Sequence, residues 1–531
     1  MPARRLTVLM VVPVLAAAVA CGGASSPKTG DAGFVKDGTV TTAITDDPGN
    51  LDPHVTASGQ TLAFDSFLYD TLLHSTPDGK TVSGLAEKWA FTPTSATLTI
   101  RDGVTCSNGK PLTADDVALN FKRLQDPKVK SPLVGSLLGG ADFKVAADSA
   151  ARTVTLNLSK PFTDLEQNLT GYPQIVCAAS LAAPAGLARG AIGGGAGTGP
   201  FVLSQASPNS QYILTRRDGY TWGPDGATTA EPGFPAKLVV KVVKDESTAA
   251  NLLLTGALDV AGFQQVDRKR VAAAPGLTSQ TIPTNDLILF FNEHHARPGT
   301  ETAVRQALSL SLDREAFIKA ATGGYGTKSN SLLMPGSPCS EPPAKVPATD
   351  IEKAKSLLDA AGWKAGANGT RSKNGKPLTI VVLAGGEAVR AEFLQDAWKP
   401  LGVNVTVNNA PSADAVGILF GAGNWDVVTL DFSNRLPSAY VSFFTGAAVP
   451  EGGNFTFTKN ADYERLTAQA RLQVPPQSCA LWSQAEQSLV DRADEVPIGY
   501  ITTQWFGRNV RFEAEDANTF YPTSIRVAKK K

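Results

Sequence analysis

The sequence contains little histidine, no excess charge of either sign and no closely spaced cysteines. Among 531 residues there are 4 His, and Lys+Arg and Asp+Glu are equal at 49 each. A nucleic-acid-binding protein carries a strongly basic balance, so zero net charge argues against that class. No Cys-x-x-Cys occurs, and with so few histidines a structural zinc site is not expected. His294 and His295 are adjacent and would face opposite sides of a strand, which is a poor arrangement for sharing a metal.

The patterns of several enzyme classes are also missing. There is no G-x-S-x-G elbow of an α/β-hydrolase and no H-E-x-x-H of a zinc protease. The glycine-rich run over 191–199 lacks G-x-G-x-x-G and is not followed by Lys-Ser/Thr, so we expect a loop rather than a phosphate cradle. No pair of carboxylates stands out for acid–base chemistry. We therefore expect a protein that is not an enzyme and needs no cofactor; an exported glycosidase or peptidase is the enzymatic alternative.

Long apolar runs are missing after the first twenty residues. Arg4 and Arg5 precede an apolar run over 6–20. Its length of about 15 residues is short of the roughly 20 that a membrane-spanning helix needs. A basic start, a short apolar run and small residues before a break are typical of a secretory signal peptide, which we place at 1–20.

The break after the apolar run falls at a cysteine. The run ends A-V-A-C, with Cys21 followed by two glycines, and this resembles a bacterial lipobox although Ala18 stands where a large aliphatic residue is usual. We therefore expect Cys21 to be lipidated and to anchor an exported protein to the outer face of the cytoplasmic membrane. Simple secretion is the alternative. Residues 21–37, rich in Gly, Ser, Lys and Asp, are expected to form a flexible tether.

The stretch 83–124 carries the most local structural information. Leu98 and Ile100 alternate with polar residues, which predicts a half-buried strand. Two Asx-Gly dipeptides then indicate tight turns, because glycine tolerates the positive φ that such turns need. Thr113 is a good N-cap, and Asp116 can complete a capping box at the start of a helix. The stretch is therefore predicted to be a rigid strand–turn–helix unit without catalytic residues.

The same stretch resembles a known protein family. It contains L-A-E-K-W, then R-D-G-V, then S-N-G-K-P-L-T-A-D-D-V. The motifs and their spacing resemble the extracytoplasmic solute-binding proteins of family 5, the oligopeptide-, dipeptide- and nickel-binding components of ABC importers. G-T-G-P-F-V-L and T-G-A-L-D-V follow in the family's order, so the resemblance covers most of the chain after the signal peptide.

The resemblance implies an α/β fold of the two-lobed periplasmic-binding-protein type (class II), with an additional subdomain in the first lobe. Two apolar runs, 287–292 and 496–503, are expected to be hinge strands that cross between the lobes. The expected division is 38–72, 180–286 and 498–531 for the main sheet of lobe I, 73–179 for the extra subdomain and 287–497 for lobe II.

The resemblance also implies a function in transport. We expect a monomeric substrate-binding lipoprotein that captures a peptide or similar small solute between its lobes by hinge closure and delivers it to an ABC permease. A lipid-anchored sensor or adaptor of the same fold, presenting the solute to a signalling partner, is the alternative, and the sequence does not separate the two. A nickel chelate, a sugar or an opine remains open as the ligand.

Candidate ligand-binding residues follow from the resemblance to peptide-binding members. In those proteins a segment entering the cleft carries an aspartate followed by an aromatic residue, and the carboxylate pairs with the peptide amine. Here Asp431-Phe432 is the nearest match, but counting back from Pro437 the expected position holds Ser433. Either Asp431 takes the role or the amine anchor is missing and the ligand is not an ordinary peptide. The further candidates from the resemblance are Asn292, Tyr325 and Trp425.

Four cysteines remain after Cys21, and an even number in an exported chain indicates disulfides. Of the three pairings that four cysteines allow, we expect Cys106–Cys177 and Cys339–Cys479, because each pair falls within a single expected lobe. Neither bridge would then hold the two lobes together. Four buried free thiols are the alternative.

Overall fold

The computed structural model describes residues 33–530 except 57, 78, 139, 140, 193, 194, 196 and 422. The expected signal peptide at 1–20, the lipidation site Cys21 and most of the tether over 21–37 lie outside these described residues. Over the ranges that the structure describes, no helix is long and apolar enough to cross a membrane.

The strands, in chain order, are β1 (Thr39–Ile44), β2 (Leu73–Ser75), β3 (Thr81–Ser83), β4 (Ala86–Thr92), β5 (Ser95–Ile100), β6 (Phe143–Asp148), β7 (Thr153–Leu158), β8 (Phe201–Ser207), β9 (Gln211–Arg216), β10 (Lys237–Val242), β11 (Val260–Phe263), β12 (Leu277–Phe291), β13 (Thr327–Lys328), β14 (Lys364–Ala365), β15 (Arg371–Lys373), β16 (Lys376–Pro377), β17 (Thr379–Leu383), β18 (Asn404–Asn408), β19 (Val427–Phe432), β20 (Glu495–Arg508), β21 (Val510–Arg511) and β22 (Arg526–Val527).

The α-helices are α1 (Gly59–Asp65), α2 (Ala114–Leu124), α3 (Leu133–Leu138), α4 (Leu165–Asn168), α5 (Ala178–Leu181), α6 (Pro184–Leu187), α7 (Glu246–Thr255), α8 (Asp267–Ala272), α9 (Thr302–Leu310), α10 (Arg314–Ala321), α11 (Ile351–Ala360), α12 (Ala388–Trp398), α13 (Ser412–Phe420), α14 (Val441–Phe444), α15 (Ala461–Ala470) and α16 (Cys479–Arg492).

One large mixed sheet runs through the molecule, in the order β18-β17-β19-β12-β20-β11-β1-β10-β9-β8. On one side β1 lies parallel to β10 and β11. On the other side β17 lies parallel to β18 and β19. We call the part with β1 and β8–β11 lobe I, and the part with β17–β19 lobe II. Parallel strands joined through helices confirm the predicted α/β class.

The two central strands, β12 and β20, belong to both lobes. They pair antiparallel from Leu277 opposite Arg508 to Phe290 opposite Glu495, with irregular register between Pro283 and Asn285 and between Leu287 and Ile288. Both strands are longer than the runs 287–292 and 496–503 that the sequence predicted. In β12 the apolar run marks the fully buried part, whereas the lobe I part is only partly buried and mixed in composition and therefore gives a weaker signal.

A separate antiparallel sheet, in the order β4-β5-β7-β6, lies within 73–179, and we call it the small sheet. Leu98 and Ile100 of β5 are buried in the same core cluster as Val117 and Phe121 of α2. Thr113 caps α2, and Asp116 accepts back from the Thr113 backbone N–H at 2.8 Å, so the predicted capping box is confirmed. The domain limits given above stay predictions.

Two disulfides are present, one on each side of the molecule. Cys106 is bonded to Cys177, with 6.1 Å between their Cα atoms. Cys339 is bonded to Cys479, with 4.7 Å between their Cα atoms. The first connects the segment after β5 to the start of α5, and the second connects the loop after β13 to the start of α16. Neither bridge links lobe I to lobe II.

Candidate ligand-binding cleft

Lobe II contacts the lobe I side of the molecule at several places, two of which lie on either side of the segments described next. Ser438, which follows β19, donates a hydrogen bond to the carboxylate of Asp164 at the start of α4. Gly79, in the turn between β2 and β3, lies so close to Gly336 that a Cβ atom on it would stand 2.0 Å from the Gly336 carbonyl oxygen. These contacts show that the two lobes meet, and we call the region between their facing edges the cleft.

The lobe I wall of the cleft includes the C-terminal residues 513–521, which we call the tail segment. The Asp516 carboxylate accepts hydrogen bonds from the backbone N–H groups of Asn518 and Thr519 at 2.6 and 2.9 Å. Trp505 of β20 donates to the Asp516 carbonyl at 2.9 Å, and Tyr521 donates to the Ser75 carbonyl at 2.9 Å. These bonds fix the tail segment against β20 and the β2–β3 hairpin.

The lobe II wall includes residues 433–438, which we call the Arg435 loop. Tyr440, just after the loop, donates to the carboxylate of Asp286 on β12 at 3.1 Å. Burial raises the pKa of Asp286 to about 8; the Tyr440 hydrogen bond lowers it, the charge of Glu486 raises it and Arg435 lowers it. Two hydrogen bonds thus fix the C-terminal end of the loop, one to Asp164 and one to a buried strand of the main sheet.

Arg435 influences the acidic groups of the tail segment electrostatically. Burial, followed by the charge of Asp516, raises the pKa of Glu515 to about 8, and Arg435 acts in the opposite direction. Burial also raises the pKa of Asp516, against two backbone hydrogen bonds and the charge of Arg435. Arg435 itself is half-buried, and its guanidinium makes no hydrogen bond or ion pair to any residue in the described ranges. Arg435 therefore acts electrostatically on both carboxyl groups, although no hydrogen bond or ion pair joins it to them among the described residues.

The structure gives Asp431 a partner that the sequence did not predict. Asp431 lies on β19, and its two carboxylate oxygens accept from Arg390 of α12 at 3.0 and 2.8 Å. The bidentate pair is formed within lobe II. The neighbouring Phe432 packs edge-on against Phe290 and Tyr440, with ring centroids 6.0 and 5.6 Å apart. Phe432 is thus part of the aromatic packing under the Arg435 loop.

The other three candidates lie in different surroundings. Asn292 is buried and donates from its amide to the Trp425 carbonyl at 3.0 Å, so the structure brings these two residues together. Trp425 is fully buried and packs against Phe455 in the lobe II core. Tyr325 is half-buried, and the guanidinium of Arg268 from lobe I lies over its ring at 4.3 Å. Tyr325 is therefore at the junction of the lobes, whereas Asn292 and Trp425 are buried in the packing of lobe II.

The expected geometry of the histidine pair is wrong. His294 and His295 lie in the turn after β12 rather than on a strand, so the alternation of side chains does not apply and their rings are 4.1 Å apart. Burial, His295 and Arg297 lower the pKa of His294. Within the described ranges, no group of three or more His, Cys, Asp or Glu side chains is placed to hold a metal ion.

Sequence reasoning missed three charged residues of the Arg435 loop and the tail segment. Arg435 stands in the quoted stretch L-D-F-S-N-R-L-P, but a single cation in a polar loop has no distinguishing pattern. Glu515 and Asp516 lie 80 residues further along, in a segment without regular structure. The one local signal was the pair of adjacent carboxylates in E-A-E-D, which is also common on solvated loops.

Two α/β lobes joined by a pair of long central strands define the class of extracytoplasmic binding proteins. The sequence profile described as "Bacterial extracellular solute-binding proteins, family 5 Middle" matches residues 80–453, so the chain belongs to this family. It is the solute-binding component of an ABC importer and not an enzyme, as the sequence predicted.

Individual relatives agree with this assignment. The nickel-binding periplasmic protein of Escherichia coli is 28% identical over 381 residues, covering 69% of this chain and 70% of that protein. The periplasmic murein peptide-binding protein MppA of Escherichia coli is 25% identical over 492 residues, covering 86% of each chain. A substrate-binding protein from Microbacterium hydrocarbonoxydans, solved with 4-hydroxybenzoate hydrazide, is 28% identical, with a TM-score of 0.68 over 92% of this chain and 99% of that one. The two-lobed fold is thereby confirmed.

Proposed function

We propose that the protein captures a peptide or similar small solute between lobe I and lobe II and presents it to a membrane permease. The observation that carries the proposal is the arrangement of the two lobes, which are joined through β12 and β20 and meet again where Ser438 bonds Asp164 and Gly79 approaches Gly336. Relatives named as binding murein peptide and di- and tripeptides support a peptide.

Capture by closure follows from the connection between the lobes. The chain passes from lobe I to lobe II through β12 and returns through β20, and the register of this pair is irregular near Pro283 and Leu287. Irregular pairing allows local bending, and hinge closure around a ligand is a common motion of periplasmic binding proteins. Small-angle scattering with and without a saturating solute should show a smaller radius of gyration in the complex. An unchanged radius at saturation would contradict closure.

The solute can be found by a thermal-shift screen of peptides, nickel chelates, sugars and opines. A solute present at a hundred times its dissociation constant should stabilise the folded protein by about 2.7 kcal/mol. Titration calorimetry of each stabilising compound then gives its affinity. If no peptide, nickel chelate, sugar or opine in the screen stabilises the protein, the proposal is wrong.

We also propose that Cys21 carries a lipid and anchors the protein to the outer face of the membrane. Its support is the sequence alone, because Cys21 lies outside the described residues. Each lipid chain adds about 0.8 kcal/mol per buried methylene, and stable anchoring takes more than one chain. A Cys21→Ser protein should appear in the soluble fraction, whereas the wild type sediments with membranes. Equal retention of both proteins in the membrane fraction would exclude a lipid anchor at Cys21.

A further inference from the structure

The contact that Gly336 makes with lobe I is carried by a single loop of lobe II. We call residues 328–345, which begin at the end of β13, the contact loop. At its start the loop is paired with the central strand β20, where Lys328 lies opposite Gly499. Gly336 lies at its exposed tip, in a turn where the Ser337 N–H donates to the Met334 carbonyl at 3.1 Å. The contact loop therefore runs from the central strand pair to a point where the lobes meet.

Helix α16 holds the contact loop through one of its faces. Side chains at helical spacing lie on the same side of a helix, and four of them bind the loop here: Cys479, Ser483, Glu486 and Gln487. Cys479 is bonded to Cys339. One turn further on, the Ser483 hydroxyl donates to the Pro342 carbonyl at 3.2 Å. These two attachments fix the arm of the loop that follows Gly336.

The next turn of α16 binds the arm that precedes the tip as well. Both carboxylate oxygens of the buried Glu486 accept hydrogen bonds, one from the Leu332 N–H and one from the Ser331 hydroxyl. Gln487 accepts from the Lys345 N–H at 2.7 Å. Both arms of the contact loop are thus bound to the same helix, on either side of Gly336.

The inside of the contact loop is not filled by side chains. A cavity of about 290 Å³ is lined only by residues of the loop, among them Ser331, Pro335 and Ser340. Leu333 is buried in lobe II, but Pro335 and Gly336 beyond it are exposed. A segment that encloses a cavity lacks the close packing that fixes a protein interior. The position of Gly336 therefore depends on the attachments of the loop to α16.

The same helix is connected to the second lobe contact and to the hinge. Pro437 and Glu486 line a gap of about 20 Å³, and Pro437 directly precedes Ser438, which donates to Asp164 of the lobe I side. Helix α16 then leads through residues 493–494 into β20, the strand that returns to lobe I. One helix thus links both contact points of lobe II to a central strand.

We propose that the Cys339–Cys479 bridge and Glu486 are positioning groups for lobe closure, which hold the contact loop on α16 so that Gly336 meets lobe I around a bound solute. This inference rests on the proposed function. Without these groups the arrangement in which the lobes touch is less populated, so the apparent dissociation constant rises. The solute enters while the lobes are apart, so the change should lie in its dissociation rate rather than in its association rate.

The test compares the two disulfides in the full mature protein. One variant replaces Cys339 and Cys479 by serine, and the matched control replaces Cys106 and Cys177 by serine. The control bridge lies in the core packed on the small sheet. Each variant loses one cross-link within one side of the molecule, so both should be less stable than the wild type. Thermal unfolding of each variant without solute shows that it is folded.

Hydrogen exchange measures the contact itself, with and without solute. In the Cys339/Cys479 variant, exchange should become at least about threefold faster in the contact loop and also in the lobe I turn around Gly79, residues 76–81, because local opening exposes both sides of the contact. In the control variant both segments should exchange at the wild-type rate, since amides of turns exchange by local opening rather than by global unfolding.

Solute binding is measured with trialanine, by titration calorimetry and stopped-flow kinetics. The Cys339/Cys479 variant should bind about tenfold more weakly through faster dissociation, and the control should bind as the wild type does. Glu486→Ala should weaken binding in the same way. Glu486→Gln should restore most of the affinity, because its amide oxygen can still accept from the Leu332 N–H. If trialanine does not bind, the compound found in the thermal-shift screen takes its place.

An equal loss of affinity in both cysteine variants would reflect stability alone and would overturn the inference. Unchanged exchange of residues 76–81 in the Cys339/Cys479 variant, with and without solute, would also overturn it. Binding by Glu486→Gln as weak as that by Glu486→Ala would refute the role of Glu486. If no compound binds the wild type, the proposed function falls, and exchange of the solute-free proteins alone decides whether the bridge positions the contact.

Discussion

The contact between Gly79 and Gly336 provides a direct test of lobe closure. Gly79 has a φ of +79°, and a Cβ atom there would stand 2.0 Å from the Gly336 carbonyl oxygen. Gly79→Ala therefore introduces two penalties: strain in its own turn and a collision across the cleft. Gly103 separates these penalties, since its φ is +76° and a Cβ atom there would meet nothing within 4 Å. Gly103→Ala is thus the matched control.

The size of the effect follows from the geometry. An alanine in the left-handed region costs roughly 1–2 kcal/mol, and this applies to both variants. Only Gly79→Ala must also move the two backbones apart, because a Cβ atom is essentially never found under 3.0 Å from such an oxygen. The shift of about 1 Å between rigid backbones penalises the arrangement in which the lobes touch. If that penalty is about 1.4–3 kcal/mol, the affinity for a solute enclosed by the lobes falls roughly 10- to 100-fold.

Two measurements separate the strain in the turn from the collision between the lobes. Urea unfolding of the unliganded proteins should show the strain of the turn in both variants, and any larger loss in Gly79→Ala gives the cost of the collision in the unliganded state. Titration with the solute found in the screen should give weaker binding for Gly79→Ala and near wild-type binding for Gly103→Ala. If both variants bind as tightly as the wild type, the contact is not part of the ligand-bound arrangement, and the reasoning from the closed geometry is wrong.

Three further predictions concern stability. Replacing Cys106 and Cys177 by serine should lower the unfolding free energy by about 4 kcal/mol, because the bridge closes a loop with a sequence separation of 71; urea midpoints unchanged by the double substitution, or by reducing agent, would contradict it. Burial raises the pKa of Glu495 well above its ordinary value and that of Glu486 to about 7. The folded state therefore binds more protons above pH 4.5, so stability should fall as the pH rises from 5 to 8, and Glu495→Gln should reduce that slope; an equal slope in both proteins would disprove the assignment. Arg305 is fully buried on two carboxylates and several carbonyls, so Arg305→Ala should cost about 3–5 kcal/mol in the same assay, and a loss under 1 kcal/mol would show that the site relaxes.

Local chemistry accounts for the parts of the fold that the sequence predicted. The Thr113 capping box, the alternation of β5 and the apolar runs within β12 and β20 are each decided by residues within a few positions of one another. The family motifs then supplied the two-lobed arrangement, which no periodicity contains. The strand limits were less accurate, because the half of β12 in lobe I is only partly buried and its composition is mixed.

The roles of the charged residues near the cleft could not be predicted from the sequence, because each role depends on partners that are distant in the chain. Asp431 matched a family pattern, yet its role depends on Arg390, which lies 41 residues earlier on another element. Arg435 matched nothing, yet the described residues leave it without a partner at the place where the two lobes meet. A carboxylate that is already paired with a guanidinium in its own lobe stabilises that lobe. A cation without an acceptor remains able to bind a ligand. The pairing state of each charge, rather than its position in a motif, therefore shows which side chains are already engaged within a lobe.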